Sequence, residues 1–160
     1  MQPSKIIKIF VAAAAILTVA ACSDLFHQYR SVEGGWMPTD TLAFQYHSSA
    51  EGPRHCAVDI ELRSGSSYPY KEIVLCVEST SRILRRSVVD TLVCELYDAS
   101  GHPHGSTSGI LRQTSHPCGT IDILPGDTIE IKITHLMDDA PIDGILDVGV
   151  RLSQPGRHQF

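Results

Sequence analysis

The sequence predicts an all-β fold, an antiparallel β-sandwich of about seven strands preceded by a lipoprotein signal peptide, with a jelly roll as one form of it. Three observations lead there. After the first 21 residues the helical period of about 3.6 is nearly absent, while apolar and polar residues alternate with period two in segment after segment. The stretches between those segments are rich in Gly, Pro, Ser and Asp, the composition of turns. One apolar face per strand, at regular spacing, requires two sheets packed face to face.

The chain begins with a processing signal. Lys5 and Lys8 precede an apolar run over residues 9–21, which is short of the roughly 20 residues that span a bilayer. "VAAC" follows and ends at Cys22. Small residues before a cleavage point are the secretory signature, and a cysteine directly after them reads as a bacterial lipobox. In that reading Cys22 takes a diacylglyceryl thioether and the signal is cut before it; the plainer alternative is an ordinary signal peptide with a chance cysteine. Each buried methylene adds roughly 0.8 kcal/mol, so two or more acyl chains anchor stably where one does not. The division expected is residues 1–21 signal, 22–33 lipidated tether, 34–152 sandwich and 153–160 a polar, frayed tail. The whole chain carries 13 Lys and Arg against 18 Asp and Glu; two of the lysines lie in the signal, so the mature charge is 11 − 18 = −7. Nucleic acid is disfavoured, because it needs a basic stripe.

The strands follow in order. "DTLAFQYH" (40–47) puts Leu42, Phe44 and Tyr46 on one face. "HCAVDIELR" (55–63) sets Cys56, Val58, Ile60 and Leu62 against Asp59, Glu61 and Arg63. "KEIVLCVES" (71–79) has Ile73, Leu75 and Val77 on one face with Val74 and Cys76 behind, as expected of a strand covered on both sides. "VDTLVCELYD" (89–98) turns Leu92, Cys94 and Leu96 inward. "GTIDIL" (119–124), "DTIEIKITHL" (127–136) and "GILDVGVRLS" (144–153) complete the set. "LPGD" (124–127) reads as a hairpin turn. Residues 79–87 are the single candidate for a helical turn.

Few residues suggest chemistry. "GSTSG" (105–109) resembles a nucleophile elbow superficially, but Thr107 holds its centre and no strand-to-helix turn surrounds it. Asp138 and Asp139 are neighbours in a loop, and nothing marks an opposing carboxylate. Between Gly101 and Gly119 lie His102-x-His104 and His116-x-Cys118, side chains that bind zinc; structural zinc prefers wider spacing, and Pro103 and Pro117 occupy both pair centres. No metal or cofactor is therefore expected, and residues 101–119 read as a long connection. Trp36, Tyr68 and Tyr70 sit beside loops, where exposed rings stack on sugars or clamp peptides, although rings capping a core look the same in sequence. They are the candidate interaction surface. Cys56, Cys76, Cys94 and Cys118 allow three disulfide pairings, with free buried thiols as the alternative.

Several segments in order resemble the gliding-motility lipoprotein H (GldH) family of the Bacteroidetes: "YRSVEGGWMPTDTLAFQY" (29–46), "VDIELRSGSSYPYKEIVLCVES" (58–79), "DTLVCELYDASGHPHG" (90–105) and "DGILDVGVRL" (143–152). This chain has "GHPHG" where the family often has tryptophan in a G-x-x-x-G turn. The resemblance implies an outer-membrane lipoprotein tied to gliding motility and type 9 secretion, with no known catalytic activity, so the chain is expected not to be an enzyme. It carries over one functional position, Cys22, and implies protein partners in the envelope besides the membrane. The alternative expectation is a surface glycan-binding sandwich. The two differ in whether Trp36, Tyr68 and Tyr70 form a flat exposed platform.

Overall fold

The computed structural model describes residues 24–155 apart from 33, 50 and 53; the signal, Cys22 and most of the tail lie outside the described residues. Among the described residues nine strands form two antiparallel sheets. They are β1 (Phe26–Ser31), β2 (Leu42–His47), β3 (Arg54–Ser64), β4 (Glu72–Ser81), β5 (Arg86–Glu95), β6 (Ser106–Ser108), β7 (Leu111–Ile123), β8 (Thr128–His135) and β9 (Ile145–Ser153). One sheet has the order β1-β9-β3-β7-β6 and the other β2-β8-β4-β5. Without the three-residue β6, this is the jelly-roll order. The inner faces meet in one core that includes Phe44, Ile60, Leu62, Leu75, Ile131, Val148 and Leu152.

Each expected strand is present, and two strands are added. Residues 22–33 were expected to be tether, yet β1 occupies Phe26–Ser31 and pairs with β9 from Phe26↔Leu152 to Ser31↔Asp147. "FHQYRS" hides its alternation because the positions facing out carry His27 and Tyr29, which are bonded there. The segment 101–119 was expected to be one connection, but its second half belongs to β7. The inward positions of that half are Thr114, His116 and Cys118, opposite Leu62 and Ile60 and then a bulge, so no apolar stripe announces the strand. At the bulge Ala57 faces Thr120 and Asp59 faces Pro117, leaving two β7 residues opposite Val58. Gly119 takes φ 88° there. The extra residue moves the inward set from even to odd numbers, to Ile121 and Ile123. Pro117 is tolerated because beyond Gln113 β7 is the edge of its sheet.

Two further expectations are corrected. "LPGD" is a turn, with Gly126 at φ 72° and Asp127 N donating to Leu124 O at 3.1 Å, but it carries the chain from one sheet to the other and joins no hairpin. Residues 82–85 are a hairpin turn between β4 and β5, with no helix. The strand buried on both faces is β3 rather than β4.

What covers the outer face of β3 is polar. Glu61, 2% exposed, receives the Tyr29 hydroxyl, lies 2.9 Å from His27 Nε2 and 3.4 Å from Gln113 Nε2, and pairs with Arg151 Nε at 3.3 Å. Arg151 also reaches Asp59 at 3.8 Å. Arg63 lies over the Tyr29 ring, 3.8 Å from its centroid. Burial, then the Glu61 carboxylate, pushes the Tyr29 phenol up. The ring lies against Gly149, where a Cβ would come within 2.6 Å of it. Gly149→Ala is therefore expected to cost about 1–3 kcal/mol in chemical denaturation. Combined with Tyr29→Ala it should cost less than the sum of the two single changes; strict additivity would show that the close approach is not the cause.

Candidate interaction surface

The sandwich has two unlike ends. At one end lie residues 48–53, 82–85 and 124–127. At the other lie the connections 32–41, 65–71, 96–105 and 136–144, with the β6–β7 hairpin. Every segment of the family resemblance runs into this second end, and its motif residues knit the loops together.

Trp36 pairs with Ile142 through reciprocal backbone bonds of 3.0 and 2.9 Å. Its indole Nε1 donates to Asp40 O at 2.9 Å, and its ring meets His135 edge-on at 5.2 Å. His135 Nε2 is 3.0 Å from Trp36 O. Burial lowers the pKa of His135, so it sits there as a neutral imidazole. Gly144, at φ 88°, passes so close to the Tyr68 backbone that a Cβ could not fit, and Gly65 N donates to Gly144 O at 2.9 Å. Tyr68 closes the same loop by donating to Glu72 O at 2.8 Å. The "DASGHPHG" loop is held by Asp98 Oδ1, which accepts from the backbone N–H groups of Ser100 and His102 at 2.8 Å each. Gly105, at φ 81°, lies against Gln113 O with no room for a side chain. Arg112 donates to the Tyr97 hydroxyl and ties this loop to β7.

Of the two readings of the rings in sequence, exposed or capping the core, Trp36 and Tyr68 follow the second. Trp36 is 0% exposed and Tyr68 is 4% exposed, both inside the core. Tyr70 is half-buried, with its ring edge-on to Tyr68 at 74°. Each buried ring has its polar atom bonded within the loops, which lets it sit inside. The three rings form no flat exposed platform of the kind sugars stack on. The end instead presents Met37, Ile110 and Leu136, at 39, 79 and 52% exposure, among Glu72, Glu95, Asp98, Asp138, Asp139 and Asp143. Exposed apolar groups amid mostly negative charge, with exposed Lys71 and half-buried Arg112 beside them, suit contact with a protein. Sequence reasoning missed these residues because single apolar residues in acidic loops carry no pattern.

The expected zinc-type ligands scatter. His102 lies 3.3 Å from Asp98 and His104 lies 3.9 Å from Glu95, both at the surface. His116 faces inward on β7, where burial pushes its pKa down to about 4. Among the described residues no three His, Cys, Asp or Glu side chains gather as a metal site would need. Cys56 and Cys94 are buried in the core and Cys76 and Cys118 are half-buried, all as thiols. Burial pushes Cys94 up to about 12 and Cys118 up to about 11, away from reactive thiolates. A cleft of about 220 Å³ opens between β5 and β7, lined by Val58, Leu84, Val88, Cys118 and Ile121 among others.

Comparison with known proteins agrees with the motif loops. The family described as GldH lipoprotein matches residues 24–152. The chain belongs to the GldH lipoprotein family. GldH membership covers every described strand except the last residue of β9, and it makes the chain a lipid-anchored protein of the cell envelope. No curated protein matches the sequence. Among solved structures, a selenomethionine-labelled α-amino acid ester hydrolase is similar at 10% identity and TM-score 0.35, over 84% of this chain and 31% of that one. Infectious bursal disease virus is similar at 10% identity in two structures: the Gt strain at TM-score 0.35, over 86% of this chain and 32% of the other, and the Gx strain at 0.29, over 86% and 31%. The chain spans about a third of each of those chains, and likeness at that level bears on no activity of this GldH-family chain.

The depressed His116 gives a pH dependence with a definite sign. Its pKa is about 4 folded and roughly 6.5 unfolded, so between those values the unfolded chain binds more protons and stability falls as pH drops. Denaturation at pH 5.5 is expected to show roughly 1 kcal/mol less stability than at pH 7 from this residue. His116→Gln should remove that part of the difference; an unchanged pH profile would show that His116 does not carry it.

Proposed function

We propose that this GldH-family protein is held by lipid on Cys22 in the outer membrane, and that it supports the gliding and type 9 secretion machinery, or a related envelope assembly, through protein contacts and without catalysis. One observation carries the reading. The family's motif loops converge on a single stapled end, and that end exposes apolar residues among carboxylates. It lies opposite the end where the chain arrives from Cys22, since β1 starts beside Leu152 and the last residues of β9. A fixed, exposed end pointing away from an anchor suits a part that others dock on. Stapling also matters for affinity, because loops ordered before contact lose little entropy on binding.

Crosslinking in intact envelopes, with photoreactive residues at Met37 and Leu136, tests the assembly role. Mass spectrometry is expected to identify components of the gliding or secretion machinery. Recovery no greater than from a Cys22→Ala control would remove that role. Labelling with a palmitate analogue tests the anchor separately: Cys22→Ala should lose the label, and unchanged labelling would place the lipid elsewhere.

A further inference from the structure

The turn between β4 and β5 reads "SRILRRS" over residues 81–87. Ile83 and Leu84 are 49 and 43% exposed, and Arg82, Arg85 and Arg86 beside them are exposed too. No acid interrupts the run. On a chain with a net charge of −5, an apolar pair flanked by three arginines is out of character. Its backbone is fixed from beneath. Asp127, 1% exposed, accepts from Ser81 Oγ at 2.5 Å and from Ile83 N at 3.0 Å, and Ser81 Oγ accepts from Leu84 N at 3.1 Å. Arg85 takes the left-handed conformation, φ 49°, where glycine or asparagine would sit with less strain.

Topology places this turn with the anchor. Arg82 N donates to Thr128 O, just after the turn that ends β7 beside the start of β3. Phe26 of β1 meets Tyr46 of β2 across the two sheets at this same end, their ring centroids 5.9 Å apart. Leu25 N already bonds to Leu152 O at 2.9 Å, so only Ser23 and Asp24 separate Cys22 from the folded domain. That length reaches about 10 Å at most. β1 and the β4–β5 pair lie at opposite sides of the sandwich, roughly three strand spacings or about 15 Å apart. Asp24, Glu51 and Asp122 also lie at this end, with Arg54, while the far end is strongly acidic.

We propose that residues 82–86 form a second membrane contact: Ile83 and Leu84 enter the headgroup layer, and Arg82, Arg85 and Arg86 bind anionic lipid headgroups. The occupant is the bilayer that holds the Cys22 lipid, so the inference rests on that anchor. Apolar side chains with flanking cations suit the boundary between headgroups and acyl chains. Two contacts at opposite sides of one end hold the strands upright and direct the acidic end away from an anionic surface.

The test uses the lipidated full chain in vesicles of phosphatidylethanolamine and phosphatidylglycerol whose acyl chains carry bromine. Trp36 is buried at the far end, so the native emission should be unquenched. The Leu84→Trp variant adds emission at the turn, and that added part should be lost to bromine. With Arg82→Glu, Arg85→Glu and Arg86→Glu introduced together in the Leu84→Trp protein, the quenching should disappear while the protein still floats with vesicles. All these side chains are exposed, and unchanged thermal unfolding confirms that the variants fold. Protein that floats while the Leu84→Trp emission stays unquenched overturns the turn contact alone. Quenching that survives reversal of all three arginines overturns the headgroup pairing. Wild-type protein that does not float overturns the anchor, and this proposal with it.

Discussion

A carboxylate buried on the outside of a sheet is the constraint on which the rest depends. Glu61 faces away from the hydrophobic core, yet it is almost wholly covered. A charge so placed is tolerable only when surrounded by partners. Those partners come from three other strands: His27 and Tyr29 from β1, Arg151 from β9 and Gln113 from β7. The cluster therefore laces one sheet together from its outer face, where a sandwich usually has only solvent. Its main beneficiary is β1, an edge strand of six residues with few large apolar side chains of its own. Without Glu61, β1 would be held by its backbone bonds to β9, the packing of Phe26 on Tyr46 and the core, and Arg63 over Tyr29.

The two ends of the sandwich then divide the work. One end spends its unusual residues on internal order: glycines at Gly105 and Gly144 where backbones nearly touch, an indole and a phenol bonded inside loops, and an aspartate curling a turn around its side chain. The result is a set of four loops bonded to one another and to the strands they join. The other end has short turns and a single buried aspartate, Asp127, that organises the β4–β5 turn. Residues that look functional in a linear reading, such as Trp36 and Tyr68, are there to build the surface rather than to be it.

How far the fold was legible follows from this. The β-sandwich could be read because β3, β4, β8 and β9 alternate cleanly, and alternation reports one buried face. β1 was not legible, since its outward side chains are satisfied by an ion cluster that no local pattern announces. The first half of β7 was hidden for a different reason: its inward positions are Thr114, His116 and Cys118, and the bulge at Gly119 changes the period midway. β4 looked covered on both sides because Val74 and Cys76 are apolar, whereas the strand that is covered, β3, has acids there. The interaction surface was half legible. Sequence singled out these loops through Trp36, Tyr68 and Tyr70 but left open whether the rings are displayed or packed, because burial of an aromatic depends on whether its polar atom finds a partner across space.

The hydrogen bond from Leu25 to Leu152 has a mechanical consequence. Under the attachment proposed at Cys22, it would leave almost no slack between bilayer and domain. Such a protein is a standoff of set height rather than a ball on a leash. The 11 residues of β3 rise about 35 Å, and the loops beyond add to that. A partner docking as proposed would then meet the acidic end at one distance from the membrane, with that end confined to a thin layer instead of diluted through a hemisphere. Height and lateral diffusion, more than any swing of a tether, would govern encounters.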